Sequence, residues 1–370
     1  MTLSAGLPRA GQLDCACTLA SGDGEVDRRG TVLLAAAFAL SVLSQVLILG
    51  ILPLAGLSLA PSRAGAALPY AAFYAGAAIA GLPASLLLDA IGRRAAFSLG
   101  ASLGIAGGLV LVWALTQWHF GALILGAFWL GVAGGFSLFY RHAAAGLGGG
   151  SPRALLLVFG AATLAGFAAP GIADYAEALA TPRVFVGMGA AAALAHVGSL
   201  TATAALPYRP QHSILAAEGP RKPWREILLP TSIGAAAWFL MTALMGATPI
   251  AMVGCGLTSA VSGVVAWHVV AMYAPSLALA GMPAAIRPSW IVCGGGLALT
   301  AGALVFAVSS SAAQFSLSAA LVGIGWSLAT LGTTLWVHRD REPSRWALGL
   351  HDACLLAAAL LGALATGIIA

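Results

Sequence analysis

Two pairs of potential metal ligands stand on neighbouring apolar segments of this chain. Met241 and Met245 form one pair, and His268 and Met272 form the other. Residues four apart lie on the same face of an α-helix, so each pair would present both side chains in one direction. Thioether sulfur is a soft, neutral ligand that suits Cu(I), and imidazole also binds copper. If the two segments face each other, the spacing predicts a site for a soft monovalent cation near the middle of both segments.

The residues around these pairs favour a monovalent ion over a divalent one. No Asp or Glu lies between Glu226 and Asp340, whereas Zn²⁺, Mn²⁺ and Mg²⁺ sites usually recruit carboxylates or thiolates. A divalent ion would therefore lie uncompensated among apolar residues. Met252 and Cys255 follow toward the end of the first segment, and we predict them as weaker ligands at the mouth of the same site.

Packing is the alternative explanation for the methionines. Five of the seven methionines fall within residues 241–282, and methionine is a common filler of irregular apolar gaps. An ionisable group inside an apolar segment is by default a functional candidate, which favours a site at His268. Elsewhere, Cys15 and Cys17 form a lone Cys-x-Cys in a polar tail. The two thiols could hold a soft metal, but an inert tail is the simpler interpretation.

Composition places the chain in a membrane. The 370 residues are 60% hydrophobic and 8% charged, with a mean hydropathy of +0.95, and apolar runs of about 20 residues recur along the chain. We predict an all-α polytopic membrane protein. Its net charge of +5 comes from basic residues in the short gaps between apolar runs, so the lipid bilayer is the predicted partner and nucleic acid is not. We predict neither an enzyme nor a tightly bound cofactor.

The apolar runs divide the chain into two groups of predicted spans. We predict a tail at 1–30, a first membrane half of six spans at 31–206, a linker at 207–226 and a second half of five spans at 227–370. Each span is long enough to cross about 30 Å of hydrocarbon as a helix. The predicted spans are 31–57, 66–88, 95–116, 120–140, 153–173, 183–206, 227–252, 258–281, 289–309, 313–336 and 346–370.

The basic residues predict the orientation. With the N-terminus inside, fifteen of the 17 Lys and Arg residues fall on one side of the membrane, as expected for cytoplasmic loops. The tail carries no apolar stretch typical of a cleavable signal peptide. We therefore predict a bacterial inner-membrane protein with a cytoplasmic N-terminus and linker, and with Ala370 on the outer side.

The loop after the second predicted span carries a recognisable pattern. It reads SLLLDAIGRRAAF, in which Asp89, Gly92, Arg93 and Arg94 resemble the loop signature of the major facilitator superfamily, although Ala90 stands where that family usually has Arg. Asp89 at a helix end can accept hydrogen bonds from the N-terminus of a neighbouring helix. The resemblance implies two six-helix halves around a central cavity that opens alternately to either side. The twelfth span that it implies is not found in this sequence.

A narrower resemblance involves the residues described first. The Met-x-x-x-Met and His-x-x-x-Met pairs, with WHVVAMYAPS and GLHDA, resemble the CcoA-like copper importers of that superfamily. The resemblance implies import of copper, as transported substrate, into the cytoplasm for assembly of cbb3-type cytochrome c oxidase, with copper chaperones or oxidase assembly factors as candidate partners. Importers of organic solutes such as riboflavin share parts of the pattern. An organic-solute carrier and a non-transporting scaffold for oxidase assembly therefore remain alternatives.

Two further ionisable residues occur near the start of the last apolar segment. His351 and Asp352 are adjacent and follow Arg345 by about two helical turns. We predict that they pair with Arg345, with proton binding as the alternative.

Overall fold

The computed structural model describes residues 27–62, 65–145, 152–207, 222–281, 287–341 and 343–369. Throughout these ranges the chain is helical and forms no β-strand, so the predicted all-α polytopic fold is confirmed. The predictions for Cys15, Cys17 and most of the tail, and the methionine at 282, lie outside the described residues.

Twelve α-helices make up the described chain. Short breaks divide the first and fifth predicted spans into two helices each, whereas the second and third spans form one long helix. The helices are α1 (Arg28–Leu49), α2 (Leu52–Leu59), α3 (Leu68–Thr116), α4 (Phe120–Ala145), α5 (Arg153–Gly160), α6 (Thr163–Ala180), α7 (Val186–Ala204), α8 (Trp224–Gly254), α9 (Val261–Ala280), α10 (Pro288–Ala307), α11 (Ala312–Val337) and α12 (Arg345–Ile369).

Helix α3 contains two membrane crossings. Its 49 residues would extend about 74 Å, more than twice the hydrocarbon thickness. The helix breaks at Gly92, whose φ of +80° and ψ of 161° lie in a region that essentially only glycine adopts. A Cβ at Gly92 would meet no atom within 4 Å, so backbone conformation alone requires glycine there. With α3 counted twice, the ten long apolar stretches of the described chain give the eleven predicted spans.

Small residues allow the helices to approach closely. The two crossings of α3 pack against α4 and α7, and α3 also contacts α12. Where α3 and α4 cross, a Cβ at Gly131 would overlap the carbonyl oxygen of Phe73. Such contacts are typical of membrane helices, which gain stability from tight packing rather than from water exclusion.

The alternating helices define two ends of the bundle. At one end, which we call the linker end, α1, α8 and α12 begin and α4 and α11 stop. At the other end, which we call the opposite end, α1 and α8 stop and α9 begins. The candidate binding cavity and a buried ion cluster lie toward different ends.

The last part of the linker is attached to the bundle at the linker end. Lys222 is buried, and its ammonium group donates to the backbone carbonyl oxygens of Trp336, Val337 and Arg339 at distances of 2.9, 3.4 and 3.0 Å. The last carbonyls of a helix lack partners within it and carry partial negative charge. Lys222 thus caps the C-terminus of α11.

Candidate solute-binding site

A cavity of about 100 Å³ lies between α1, α3, α8 and α9. Its lining residues come from the half of the bundle nearer the opposite end. All four of the stronger predicted ligands line it: Met241 and Met245 from α8, and His268 and Met272 from α9. The two helices therefore bring both pairs to one cavity, as their spacing predicted, whereas binding of a metal by these residues stays a prediction.

His268 is held so that one ring nitrogen remains free. Its side chain is buried, and Nδ1 lies 2.8 Å from the carbonyl oxygen of Ala319 on α11. A carbonyl can only accept, so Nδ1 carries the hydrogen and Nε2 of the neutral ring has a lone pair. Nε2 has no hydrogen-bond partner in the described part of the chain. Histidines that bind metals usually donate their other N–H to a carbonyl or carboxylate in this way.

The contact between His268 and α11 depends on a close helix crossing. A Cβ at Gly323 would lie 2.6 Å from the backbone carbonyl oxygen of His268. Any larger residue there would push α11 away from α9. The orientation of the imidazole thus rests on a glycine about 55 residues away in the sequence, and the local pattern gives no sign of it.

Aromatic and amide groups complete the cavity wall. Tyr70 and Tyr74 of α3 and Tyr273 of α9 line it, together with Gln45 of α1, whose amide donates to Ser137 Oγ at 3.1 Å. Sequence reasoning missed these residues. The i,i+4 spacing of Tyr70 and Tyr74 is a usable signal, since the same spacing identifies the Met–Met and His–Met pairs.

The two weaker predicted ligands lie away from the cavity. Met252 is fully buried in a separate apolar cluster with Val264 and Phe315. Cys255 is exposed at the end of α8. Neither side chain lines the cavity, so the placement does not support a ligand series that extends from Met245 to Cys255.

The described lining of the cavity is neutral. Among the described residues that line it there is no Asp, Glu, Lys or Arg. The described part of the chain also contains no group of three or more His, Cys, Asp or Glu side chains that could hold a metal ion. The lining therefore suits a neutral solute or a soft monovalent ion better than a divalent cation.

The predicted loop motif lies at the linker end. Arg345, the first residue of α12, donates from Nε to Asp89 Oδ1 at 2.9 Å. Ser85 Oγ donates to the backbone carbonyl oxygen of Arg345 at 2.6 Å. Asp89 thus contacts the start of a neighbouring helix, as expected. Arg93 lies 3.7 Å from Asp27, while Arg94 is exposed.

The predicted pairing of His351 and Asp352 with Arg345 is wrong. Arg345 contacts Asp89, whereas Asp352 contacts Arg141 at 2.5 Å and His142 at 3.2 Å, both at the end of α4. These partners are about 210 residues from Asp352 in the sequence. Single basic residues at a helix end are the normal pattern for a cytoplasmic loop, so their pairing with Asp352 could not be recognised from the sequence.

Known transporters resemble this chain in sequence and in fold. No protein-family model matches it. Over 335 residues it is 28% identical to the riboflavin transporter RfnT of Brucella anthropi. The aligned region covers 87% of this chain and 83% of that protein. The human organic anion transporter MFSD10 superposes with a TM-score of 0.66 at 15% identity, covering 92% of each chain. The Escherichia coli fucose:proton symporter FucP superposes with a TM-score of 0.60 at 15% identity, covering 91% of this chain and 90% of that one. The chain thus has a major-facilitator-type fold and is a multi-pass membrane protein.

Proposed function

We propose that this chain is a secondary transporter of the major facilitator superfamily and that its solute binds in the cavity between α1, α3, α8 and α9. The sequence similarity to a transporter along most of both chains supports membership, and the fold supports it independently. The charge asymmetry of the sequence supports a bacterial inner-membrane location with the linker end in the cytoplasm. The cavity then lies nearer the outer side of the bundle, and import is the proposed direction, as the resemblance to copper importers implies.

The favoured cargo is a flat aromatic organic solute of the riboflavin type. The observation that carries this proposal is the similarity to a riboflavin transporter, and the chemistry of the wall agrees with it. Tyr70, Tyr74 and Tyr273 offer ring faces and hydroxyl groups, and thioethers make favourable, adaptable contacts with aromatic rings. A cavity of about 100 Å³ is smaller than the ~300 Å³ or more of typical ligand pockets. Binding therefore requires the wall to move outward.

Copper is a second candidate cargo, favoured by one specific observation. Three methionines and His268 line the same small cavity, and their thioethers and neutral imidazole form a soft, neutral ligand set. The cavity has room for an ion without any outward movement of its wall. This candidate includes the delivery of copper to cbb3 oxidase assembly, through chaperones or assembly factors, that the CcoA-like resemblance implies.

Uptake of both cargoes by one preparation tests the proposal. The purified protein in proteoliposomes would be given radiolabelled riboflavin and, separately, radiolabelled copper kept as Cu(I). We expect saturable riboflavin uptake that falls severalfold in Tyr74→Leu, because loss of one aromatic stacking face costs about 1 kcal/mol, and that changes little in His268→Asn.

Matched variants separate the two cargoes. Met188→Leu on α7 alters a methionine outside the cavity and should leave uptake of both cargoes unchanged. Copper uptake that is lost in His268→Asn but retained in Tyr74→Leu would instead support the copper importer. Flux of neither cargo would contradict both candidates and favour the scaffold.

A further inference from the structure

A buried network of ionisable groups connects α4, α8, α11 and α12 at the linker end. Arg141, His142 and Asp352 are each at most 4% exposed, and His351 is fully buried. His338, just after α11, is half-buried. None of these groups lines the solute cavity, and the proposed cargo chemistry gives them no role. Buried ionisable groups at membrane depth are costly and usually serve ion or proton pathways.

The hydrogen bonds of the network fix the positions of its protons. Asp352 accepts from Arg141 through Oδ1 and from His142 Nε2 through Oδ2. His142 must therefore carry a hydrogen on Nε2, which makes Nδ1 of its neutral ring an acceptor. Nδ1 lies 2.9 Å from His338 Nε2, so His338 is the donor in that contact. Hydrogen bonds thus run in one direction from the half-buried His338 to the buried carboxylate.

His351 has a vacant proton position that faces the same carboxylate. Thr231 Oγ lies 2.6 Å from the carbonyl oxygen of Ile227 and 2.7 Å from His351 Nδ1. The carbonyl can only accept, so Thr231 gives its one hydrogen to Ile227 and Nδ1 of His351 donates to Thr231. Nε2 of His351 is then an unprotonated acceptor, completely buried and without a hydrogen-bond partner among the described residues. It lies 4.0 Å from Asp352 Oδ1.

The charges around His351 depend on the contact between α4 and α12. Arg141 on α4 shares Asp352 with His351 and repels a proton on Nε2. If α4 moves away from α12, it takes Arg141 and His142 with it. Asp352 would then be buried without a counter-ion, and His351 would be its nearest partner. The groups that face the cluster are Arg141 and His142 of α4, His338 after α11, Arg345 of α12 with its partner Asp89 of α3, and Tyr273 of α9.

We propose that His351 Nε2 is a proton-binding site, and that its protonation transfers Asp352 from the α4 residues Arg141 and His142 to His351, so that proton binding and opening of the linker end are coupled. The proton arrives at His338 and moves through His142 to Asp352 Oδ2, each group passing on the hydrogen it donates. Rotation of the carboxyl group, which exchanges the positions of Oδ1 and Oδ2, then brings the hydrogen on Oδ2 to His351 Nε2. Asp352 returns to the carboxylate form and pairs with the new imidazolium.

The proposal makes the proton a trigger for opening of the linker end, and its role in transport rests on the proposed transporter function. With the linker end closed, the cavity near the opposite end can receive solute. A proton that weakens the α4–α12 contact would favour the alternative state, in which the solute is released at the linker end. A ligand shifts an equilibrium between two states only when it binds one of them more tightly. His351 Nε2 would bind a proton more tightly in the state in which α4 and Arg141 have moved away from α12.

A distance measurement that needs no cargo tests the proton site. Spin labels on Ala95→Cys and Arg339→Cys, both exposed and at the linker end, would be introduced after the native cysteines are replaced by serine. Distances would be measured in nanodiscs at about pH 8 and about pH 5, on either side of the ordinary histidine pKa of about 6.5. We expect acid to move the parent protein toward longer distances, and His351→Asn, which keeps the donor to Thr231, to lose this response.

Controls keep the result specific to His351. His119→Asn alters an exposed histidine away from the cluster and should respond as the parent does. Thr231→Val retains His351 but removes the acceptor for Nδ1–H, so it should move the midpoint of the pH response, and it is the second test if His351→Asn fails to fold. A parent without an acid response, or an unchanged midpoint in either variant, would overturn the proton site. Failure of the proposed cargo would show only in the uptake assay.

Discussion

The cavity and the linker-end cluster use opposite chemistry within one bundle. The cavity is lined by neutral, polarisable side chains, whereas the cluster holds a buried ion pair and three histidines. A solute can therefore enter the cavity without displacing an ion pair. Charged contacts are concentrated at the linker end, where helices must separate for transport, so the main electrostatic cost of opening is at that end.

Removing the carboxylate of the cluster is the strongest way to test this comparison. Asp352→Asn would leave the guanidinium of Arg141 buried without a counter-ion. Breaking a buried pair by removing one partner typically costs about 3–5 kcal/mol. We expect less folded protein in the membrane and a clearly lower unfolding temperature in detergent.

A more exposed pair at the same end provides the control. Asp89 and Arg345 are each 40% exposed, and their contact is 2.9 Å. Exposed pairs contribute only about 0–1 kcal/mol, so Asp89→Asn should lower the unfolding temperature little. Equal effects of the two variants would show that burial does not distinguish the cluster.

The cap on α11 gives the next largest expected effect. Lys222→Met keeps most of the apolar stem but leaves three carbonyl groups without the ammonium group. Hydrogen bonds that involve a charged group contribute about 1.5–3 kcal/mol. We expect a loss of this size in unfolding experiments. Arg225→Met, three residues later and exposed, should change stability by less than about 0.5 kcal/mol.

The same contrast explains what the sequence could predict. Hydropathy and length predict the helices because each apolar run must satisfy its own backbone in lipid. The i,i+4 pairs predict the cavity residues because Met241, Met245, His268 and Met272 lie on two consecutive helices. The cluster gives no such pattern, since Arg141 and Asp352 are joined only by the packing of distant helices. The break at Gly92 is intermediate, because a glycine in a charged loop is visible but its backbone angles are not.

Gly92 tests whether the linker end also depends on backbone geometry. In Gly92→Ala the new side chain would meet no atom, but the backbone would remain in a region that costs about 1–3 kcal/mol for other residues. We expect the free energy of unfolding to fall by that amount, which would appear as a lower unfolding temperature. Gly171→Ala, in α6 with open space and ordinary helical geometry, should be neutral or slightly stabilising. If both variants are neutral, the strain at Gly92 is not real.

Acid should destabilise the linker end. Burial, with His142 and Arg141 nearby, lowers the pKa of His338 from 6.5 to about 3. The folded protein therefore binds a proton at His338 less readily than the unfolded chain, so stability is greatest above about pH 6.5 and falls as the pH decreases toward 3. At pH 5 one such group accounts for up to about 2 kcal/mol. Unfolding temperatures measured from pH 8 to pH 5 should fall, and His338→Gln should reduce the slope.

The smallest effect on stability is expected in the cavity. Met245→Leu conserves volume and apolarity, and such exchanges usually cost less than about 1.5 kcal/mol even in a packed core. Because Met245 is only partly buried beside empty space, we expect an unfolding temperature close to that of the parent and of Met188→Leu. Any difference in uptake between Met245→Leu and the parent would then be due to loss of the sulfur atom. Unchanged riboflavin uptake would mean that the thioether fills an adaptable wall, whereas loss of copper uptake at unchanged stability would mean that it binds the ion. A large loss of stability would show that the cavity, like the linker end, is held by specific contacts, and the contrast between the two regions would fail.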